Sequence, residues 1–143
     1  MVAIDSLTLL KEEAVHIGKF SGDSYLCLIN AFKNMVYAAH FDQKNALVSP
    51  IAMTLPQLHD LALSLPNKVL GLGDGFTAFA EFLQPALMSK IHRSILYPDF
   101  PFASTLARMA EKNALRCQTL DWKTFKPLYI RASAAEENLK LKK

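Results

Sequence analysis

Several features that define other classes of protein are missing from this sequence of 143 residues. Its apolar runs are all shorter than the roughly 18 residues that a membrane-spanning helix requires. The N-terminus has no basic segment followed by an apolar core, so a signal peptide is not expected. Cysteine is scarce, and the two present, Cys27 and Cys117, lie far apart and are interpreted as buried thiols rather than a disulfide. These absences favour a cytoplasmic protein with no membrane contact.

Recognisable catalytic and metal-binding motifs are absent as well. None of the four histidines has a second histidine or a cysteine three or four residues away. The motifs HExxH and GxSxG do not occur. His59 and Asp60 are neighbours, but adjacent residues of a helix point in different directions, so they are interpreted as surface groups. The sequence therefore predicts no enzyme, no catalytic or metal-binding residues and no cofactor.

Composition and charge describe one globular domain. Apolar residues make up 51% and charged residues 20% of the sequence, and residues 1–143 fit a single domain with its own core. Nine basic and ten acidic residues precede Arg116, whereas the segment from Arg116 to the C-terminus contains seven basic and three acidic residues. This basic segment also carries Trp122 and Phe125, so contact with a nucleic acid such as tRNA stays open. Residues 132–143 are expected to form a mobile polar tail.

Hydrophobic periodicity predicts an initial helix followed by a hairpin. The helix is bounded by a cap at Asp5 or Ser6 and by Gly18 as a stop. The continuous apolar run 25–29 predicts a strand that is covered on both faces. A second apolar run at 35–41 completes the hairpin, although the turn between the runs lacks the usual glycine.

The remaining segments alternate between strands and helices, which predicts the α/β class with a mixed sheet flanked by helices. Pro50 places the third strand at the edge of the sheet. Phe76, Phe79 and Phe82 are assigned to the buried face of a helix. In chain order we predict a strand at 47–51, a helix capped by Thr54, a strand at 68–72, a helix from near Phe76, a short strand at 95–96, a helix from near Pro101 and an extended segment at 128–130.

One loop is a candidate binding site. Its glycines lie between a predicted strand and a predicted helix, where free amide groups can hold an anion. The spacing fits neither GxGxxG nor a P-loop, and a carboxylate in the loop would repel phosphate. A strand-to-helix turn capped by Asp74 is therefore favoured, with nucleotide binding as the alternative. The residues concerned are Gly71, Gly73, Asp74 and Gly75.

A series of short segments follows the order of a known protein family. They are the helix start Ile4-Asp5-Ser6-Leu7, the hairpin segments Ile29–Phe32 and Met35–Ala39, Ser49-Pro50, the loop Leu70–Gly75, Tyr97-Pro98 and the closing Pro127-Leu128-Tyr129-Ile130-Arg131. In this order, along nearly the whole chain, they resemble the second, C-terminal lobe of the TsaB family, also called YeaZ. Asn30 replaces the usual aspartate, Phe32 the usual arginine and Met35 the usual glutamate, so the polar role of that turn in relatives is not expected here.

The resemblance implies a lobe of the RNase H-like, actin-like ATPase fold. The family is a non-catalytic partner in making threonylcarbamoyladenosine on tRNA, where TsaD carries the metal and the chemistry and TsaE joins the complex. A scaffold or interaction role beside TsaD is therefore expected. The first lobe, which makes the TsaD contact in relatives, is expected to be missing, as in an excised domain, a split-gene product or a fragment.

Other interpretations stay open. Nucleotide binding by the glycine loop would be supported by saturable ATP binding that Gly73→Val removes. A stand-alone interaction module of unassigned role would need no nucleotide. The family has also been labelled as peptidases, but the sequence shows no nucleophile–base pair and no metal motif that would support this activity. A lobe without its neighbour would also expose apolar surface, so a homodimer or a tendency to aggregate is expected.

Overall fold

The structure is a computed structural model that describes residues 3–22, 24–113, 123–124, 126 and 130. Within these residues the chain forms one five-stranded sheet with helices against it. None of the described helices combines the length and the apolarity that crossing a membrane requires. In chain order the elements are α1 (Ser6–Ile17), β1 (Ser24–Asn30), β2 (Met35–Phe41), β3 (Ala46–Thr54), α2 (Leu55–Ser64), β4 (Val69–Leu72), α3 (Gly75–Ala78), α4 (Pro85–Met88), β5 (Ile91–His92) and α5 (Ala103–Asn113).

The sheet is mixed, and its strands follow the order β3-β2-β1-β4-β5. Strands β1, β2 and β3 form an antiparallel meander, whereas β4 pairs in parallel with β1 and β5 pairs in parallel with β4. Strand β1 is central: Cys27 lies opposite Ala39 on one side and Leu72 on the other. The predicted α/β class, the initial hairpin and the flanking helices are therefore confirmed.

The continuous apolar run of β1 is explained by two cores, one on each face of the sheet. Successive side chains of a strand point to opposite faces. Leu26 and Leu28 accordingly enter the cluster that includes Leu58 of α2, while Cys27 enters the cluster that includes Leu10 of α1. Burial of a leucine side chain contributes about 1.5–3 kcal/mol. The central strand therefore holds both layers of the domain together.

Helices α1 and α2 use the predicted cap residues. The Oδ1 atom of Asp5 accepts a hydrogen bond from the N–H of Thr8 at 2.8 Å, and Gly18 ends α1 with a φ of 77°. Thr54 begins α2 in a reciprocal capping box with Gln57. An N-terminal cap of this kind contributes about 1 kcal/mol.

Strand β3 lies at the edge of the sheet, as Pro50 predicts. It is longer than the predicted 47–51, because it runs from Ala46 to Thr54 and pairs with β2 at both ends. Proline has no N–H group to donate to a neighbouring strand, so it is tolerated at the edge of a sheet better than in the middle.

Two predictions about the second half are wrong. The last short strand is Ile91–His92, not 95–96; Ile95 and Leu96 instead form the centre of a turn in which the N–H of Tyr97 donates to the carbonyl of Ser94. Both are exposed, because the turn is anchored by the buried ring of Tyr97. Phe76 and Phe79 are buried as predicted, but Phe82 is exposed, since α3 ends at Ala78 and the helical phase is lost before it.

Cys27 is a buried free thiol, as predicted. Burial raises the pKa of this thiol far above its ordinary value, which keeps it protonated and unreactive. The other predictions about the C-terminal part concern Cys117, Trp122, Phe125, the segment 128–130 apart from Ile130, and the tail 132–143, and these lie outside the described residues.

Candidate functional site

The carboxyl ends of the three parallel strands bring the glycine loop and two other segments to one edge of the sheet. Strand β1 ends at Asn30, β4 at Leu72 and β5 at His92. Because these strands are parallel, the segments that follow them leave the sheet on the same side. Open α/β sheets generally bind ligands outside the carboxyl ends of their strands. We therefore treat this edge as the candidate functional site and call it the carboxyl edge.

The glycines of the loop are required by close packing. Gly73 has a φ of 96°, and a Cβ atom there would overlap the carbonyl oxygen of Leu28. A Cβ at Gly75 would lie 2.8 Å from the Cβ of Leu28, and one at Gly71 would lie 2.6 Å from Cγ2 of Ile91. All three glycines are buried. Their missing side chains allow β4 and the turn after it to approach β1 and β5.

Asp74 connects the glycine loop to the hairpin. Its Oδ1 atom accepts a hydrogen bond from the backbone N–H of Asn30 at 3.0 Å. Asp74 stands at the N-cap position of α3, but its side chain makes no capping hydrogen bond, so the predicted cap is wrong in this respect. The carboxylate of Asp74 instead accepts a hydrogen bond from a residue 44 positions away. Local sequence patterns do not reveal this contact.

Arg93, which sequence reasoning does not find, ties the segment after β5 to the same loop. Its Nη1 atom donates to the carbonyl of Gly71 at 3.0 Å and to that of Gly73 at 3.4 Å. Its Nη2 atom donates to Oδ1 of Asp99 at 2.6 Å, and its guanidinium lies 4.9 Å from the centroid of the Phe76 ring. A single arginine after a two-residue strand gives no sequence signal, because all these partners meet only in the fold.

The hairpin turn is built without glycine. Phe32, Lys33 and Asn34 have positive φ values of 58°, 51° and 58°. The N–H of Met35 donates to the carbonyl of Phe32 at 3.1 Å, so Lys33 and Asn34 occupy the central positions, as in a type I′ turn. Asparagine tolerates this conformation, whereas the left-handed region costs an ordinary side chain about 1–2 kcal/mol. Phe32 and Lys33 are therefore held in a conformation that their local sequence disfavours.

The charged side chains Asp74, Arg93 and Asp99 beside the glycine loop have partners inside the protein. Arg93 pairs with Asp99, and Asp74 with the backbone of Asn30. Helix α3 has only four residues, so its dipole is small at the glycine loop. In the described part of the chain, no group of three or more His, Cys, Asp or Glu side chains is placed to hold a metal ion. The geometry favours a rigid support for three loops over a phosphate cradle.

A serine–histidine pair lies elsewhere in the sheet. Nε2 of His40 and Oγ of Ser24 are 2.8 Å apart, and both residues are buried. Burial lowers the pKa of His40, although the charge of Asp42 opposes this shift. The pair resembles a base and a nucleophile in chemistry, but burial closes the hydroxyl to a substrate. Sequence reasoning misses it because the partners are 16 residues apart on neighbouring strands.

Helices α1 and α5 are joined by a buried carboxylate. Thr105 donates its hydroxyl to Oε2 of Glu13, and Nη2 of Arg108 donates to the same oxygen at 2.7 Å. Burial would raise the pKa of Glu13, but these two hydrogen bonds and the charge of Arg108 hold it below its ordinary value. A groove of about 250 Å³ lies beside this contact, and side chains of both charges line it together with Val15 and Met109.

The fold defines the class of protein: an α/β domain in which an antiparallel meander continues into parallel strands, with helices on both faces. No protein-family model matches the sequence, and no curated protein matches it. Solved structures do match. One is the crystal structure of a Pseudomonas aeruginosa protein described as uncharacterized with similarity to peptidase YEAZ, at a TM-score of 0.68 and 16% identity over 91% of this chain. Another is YeaZ from Pseudomonas aeruginosa, at a TM-score of 0.54 and 16% identity over 80% of this chain.

These matches confirm, for the fold, the resemblance to YeaZ that the sequence segments indicate. They also show that this chain corresponds to only part of those proteins. It covers 58% of the first structure and 52% of the second. The activity and the partners of a whole YeaZ-like protein therefore come to this chain only as proposals.

Proposed function

We propose that this chain is a TsaB-like interaction module with no chemistry of its own. In this proposal it is a lobe of the RNase H-like fold, equivalent to the second lobe of TsaB, and acts in the cytoplasm. It serves the machinery that makes threonylcarbamoyladenosine on tRNA, as a scaffold that works with TsaD and, through TsaD, with TsaE. Contact with tRNA through the basic segment after Arg116 is a secondary part of the proposal.

The observation that carries the proposal is the structural match at a TM-score of 0.68 over 91% of the chain. The use of the glycine loop supports it. Gly73 and Gly75 pack against Leu28, and Asp74 binds the backbone of Asn30, so the loop contributes to the architecture of the domain. The buried Ser24–His40 pair gives no support to a peptidase, although that word stands in the description of one similar structure.

A reconstituted modification reaction tests the proposal. Threonylcarbamoyladenosine on tRNA is measured with TsaD and TsaE present and full-length TsaB left out. The chain is added alone and then together with a separately expressed first lobe, with an Asp5→Ala chain as a folded, less stable control. Product formation that needs both pieces supports the proposal. If neither arm makes product while circular dichroism shows both pieces folded, the modification role is rejected and only the fold remains.

A second candidate function is nucleotide binding at the carboxyl edge. The observation in its favour is position, since the glycine loop and the half-buried Arg93 lie where α/β sheets bind ligands. Gly73→Val is not a suitable test, because the added side chain would overlap Leu28 whether or not a nucleotide binds. Isothermal titration of the wild-type chain with ATP, with Asp74→Asn as the variant, avoids this problem. Absence of heat at millimolar ATP would reject nucleotide binding.

A further inference from the structure

Helix α5 differs from the other described helices in how it is attached to the domain. Each of the others places at least one apolar side chain in a hydrophobic core, for example Leu10 of α1, Leu58 of α2, Phe76 of α3 and Leu87 of α4. Among the described residues, neither core contains a member of α5, either buried or partly buried. The stabilisation that apolar burial gives is therefore smaller for α5 than for the other helices.

The attachment of α5 to α1 is polar instead. Of residues 103–112, Thr105 alone is buried, and its hydroxyl donates to Oε2 of Glu13 on α1. Nη2 of Arg108 donates to the same oxygen at 2.7 Å. Both donors meet one carboxylate, so the loss of a single acceptor would weaken both hydrogen bonds.

Beside this contact the two helices are incompletely packed. The groove of about 250 Å³ is lined from α1 by residues that include Val15 and His16, and from α5 by residues that include Met109 and Lys112. Val15 keeps 40% of its surface exposed. Protein interiors contain few voids larger than a water molecule, so a groove of this volume means that dispersion contacts between the helices are missing.

The segment before α5 has the properties of a hinge. The ion pair between Asp99 and Arg93 fixes the chain as far as Asp99. Phe100 and Phe102 are exposed, and α5 begins at Ala103. Residues 100–102 therefore separate the fixed chain from α5. Hinges commonly consist of a few such loop residues, in which backbone rotation moves one element without moving the rest.

We infer that α5 is a detachable helix, which undocks from α1 as a unit while the sheet and the other helices stay folded. Local unfolding of this kind occurs where few apolar contacts hold a segment. A free helix of 11 residues is marginal in water, so α5 should lose its helical structure when it leaves α1. The domain thus has two states, in which the carboxylate of Glu13 is either covered by α5 or open to solvent. Undocking requires no role in tRNA modification.

Native-state hydrogen exchange of the full chain, followed residue by residue with NMR, tests the inference. The amides of residues 107–110 should share one opening constant, at least about 100-fold larger than that of the β1 amides. Low concentrations of urea should raise the opening constant of β1 but hardly that of α5, because the undocking of one helix exposes little surface. Equal opening constants for α5 and β1 would overturn the inference, since α5 would then unfold only with the whole domain.

A core variant separates undocking from global unfolding. Val36 is fully buried in the core on the other face of the sheet from α1. Val36→Ala should therefore raise the opening constant of the β1 amides at least about tenfold and leave that of α5 within about twofold of wild type. Equal acceleration of exchange in α5 and β1 would contradict independent undocking.

Glu13→Gln tests the attachment itself. This variant should raise the opening constant of the α5 amides about tenfold, because hydrogen bonds to a charged acceptor are about twice as strong as those to a neutral one. Glu111→Gln is the matched control, since Glu111 is exposed on α5 and its opening constant should stay within about twofold of wild type. If Glu13→Gln changes exchange in α5 no more than Glu111→Gln does, the carboxylate does not hold the helix and the inference fails.

Discussion

Replacing Gly73 by alanine should destabilise the domain far more than replacing Gly18, although both glycines have positive φ values, of 96° and 77°. Alanine in a left-handed backbone costs about 1–2 kcal/mol at either position. At Gly18 the nearest atom to the new Cβ would be 3.9 Å away, so no further cost is expected. At Gly73 the Cβ would overlap the carbonyl oxygen of Leu28 and lie 3.2 Å from Cδ1 of Leu10.

The overlap at Gly73 falls on the central strand, which is fixed on both sides by neighbouring strands. Overpacking of a core typically adds about 1–3 kcal/mol, so the total for Gly73→Ala is about 2–5 kcal/mol against about 1–2 kcal/mol for Gly18→Ala. Urea unfolding followed by circular dichroism measures both values, provided that the variants have the same m value. Equal losses of stability would refute the packing of the glycine loop against β1.

Three further predictions concern polar side chains with hydrogen-bond partners inside the protein. Thr105→Val should lower the free energy of unfolding by about 1–3 kcal/mol, because Glu13 loses a buried donor, whereas the exposed Ser104→Ala should change it by less than about 0.5 kcal/mol in the same urea experiment. The pKa of His40 is lowered in the fold, so the contribution of neutral His40 to stability is complete above about pH 6.5 and is lost as the pH falls towards the folded pKa. His40→Gln should therefore reduce the change of the urea midpoint between pH 7.5 and pH 5. A pH dependence equal to that of the wild type would contradict this assignment. Arg93→Lys should lower the free energy of unfolding by about 1 kcal/mol, because an ammonium group cannot reach the two carbonyls and Asp99 together. Thermal stability equal to that of the wild type would show that the planar geometry of the guanidinium is unimportant.

The first half of the fold follows from local sequence signals. The apolar runs at 25–29 and 35–41, the cap at Asp5 and the stop at Gly18 each correspond to an element of the structure. Pro50 also locates β3 at the sheet edge. These signals succeed because each depends on residues within one element or one turn.

The second half and the site depend on distant contacts, and local patterns describe them less well. Ile95 and Leu96 have the composition of a strand, but the anchoring of Tyr97 in the core turns them outward. The glycine loop is recognisable from sequence as a strand-to-helix turn. Its bonds to Asn30 and Arg93 are not, because these partners are 44 and about 20 residues away and carry no motif.

The mixed sheet has a consequence for the order of folding. Strands β1 to β3 are joined by short turns, whereas Ser24 of β1 pairs with Val69 of β4, so the parallel half closes a loop of about 45 residues. Local pairings lower the entropy lost before contacts form, so the meander should form in the transition state and β4 should dock after it. Substitutions at Gly73 should then mainly accelerate unfolding, while those in the β1–β2 hairpin slow refolding. The glycine loop and the segment after β5, which dock on the completed hairpin, are thus expected to be the last described parts of the domain to become ordered.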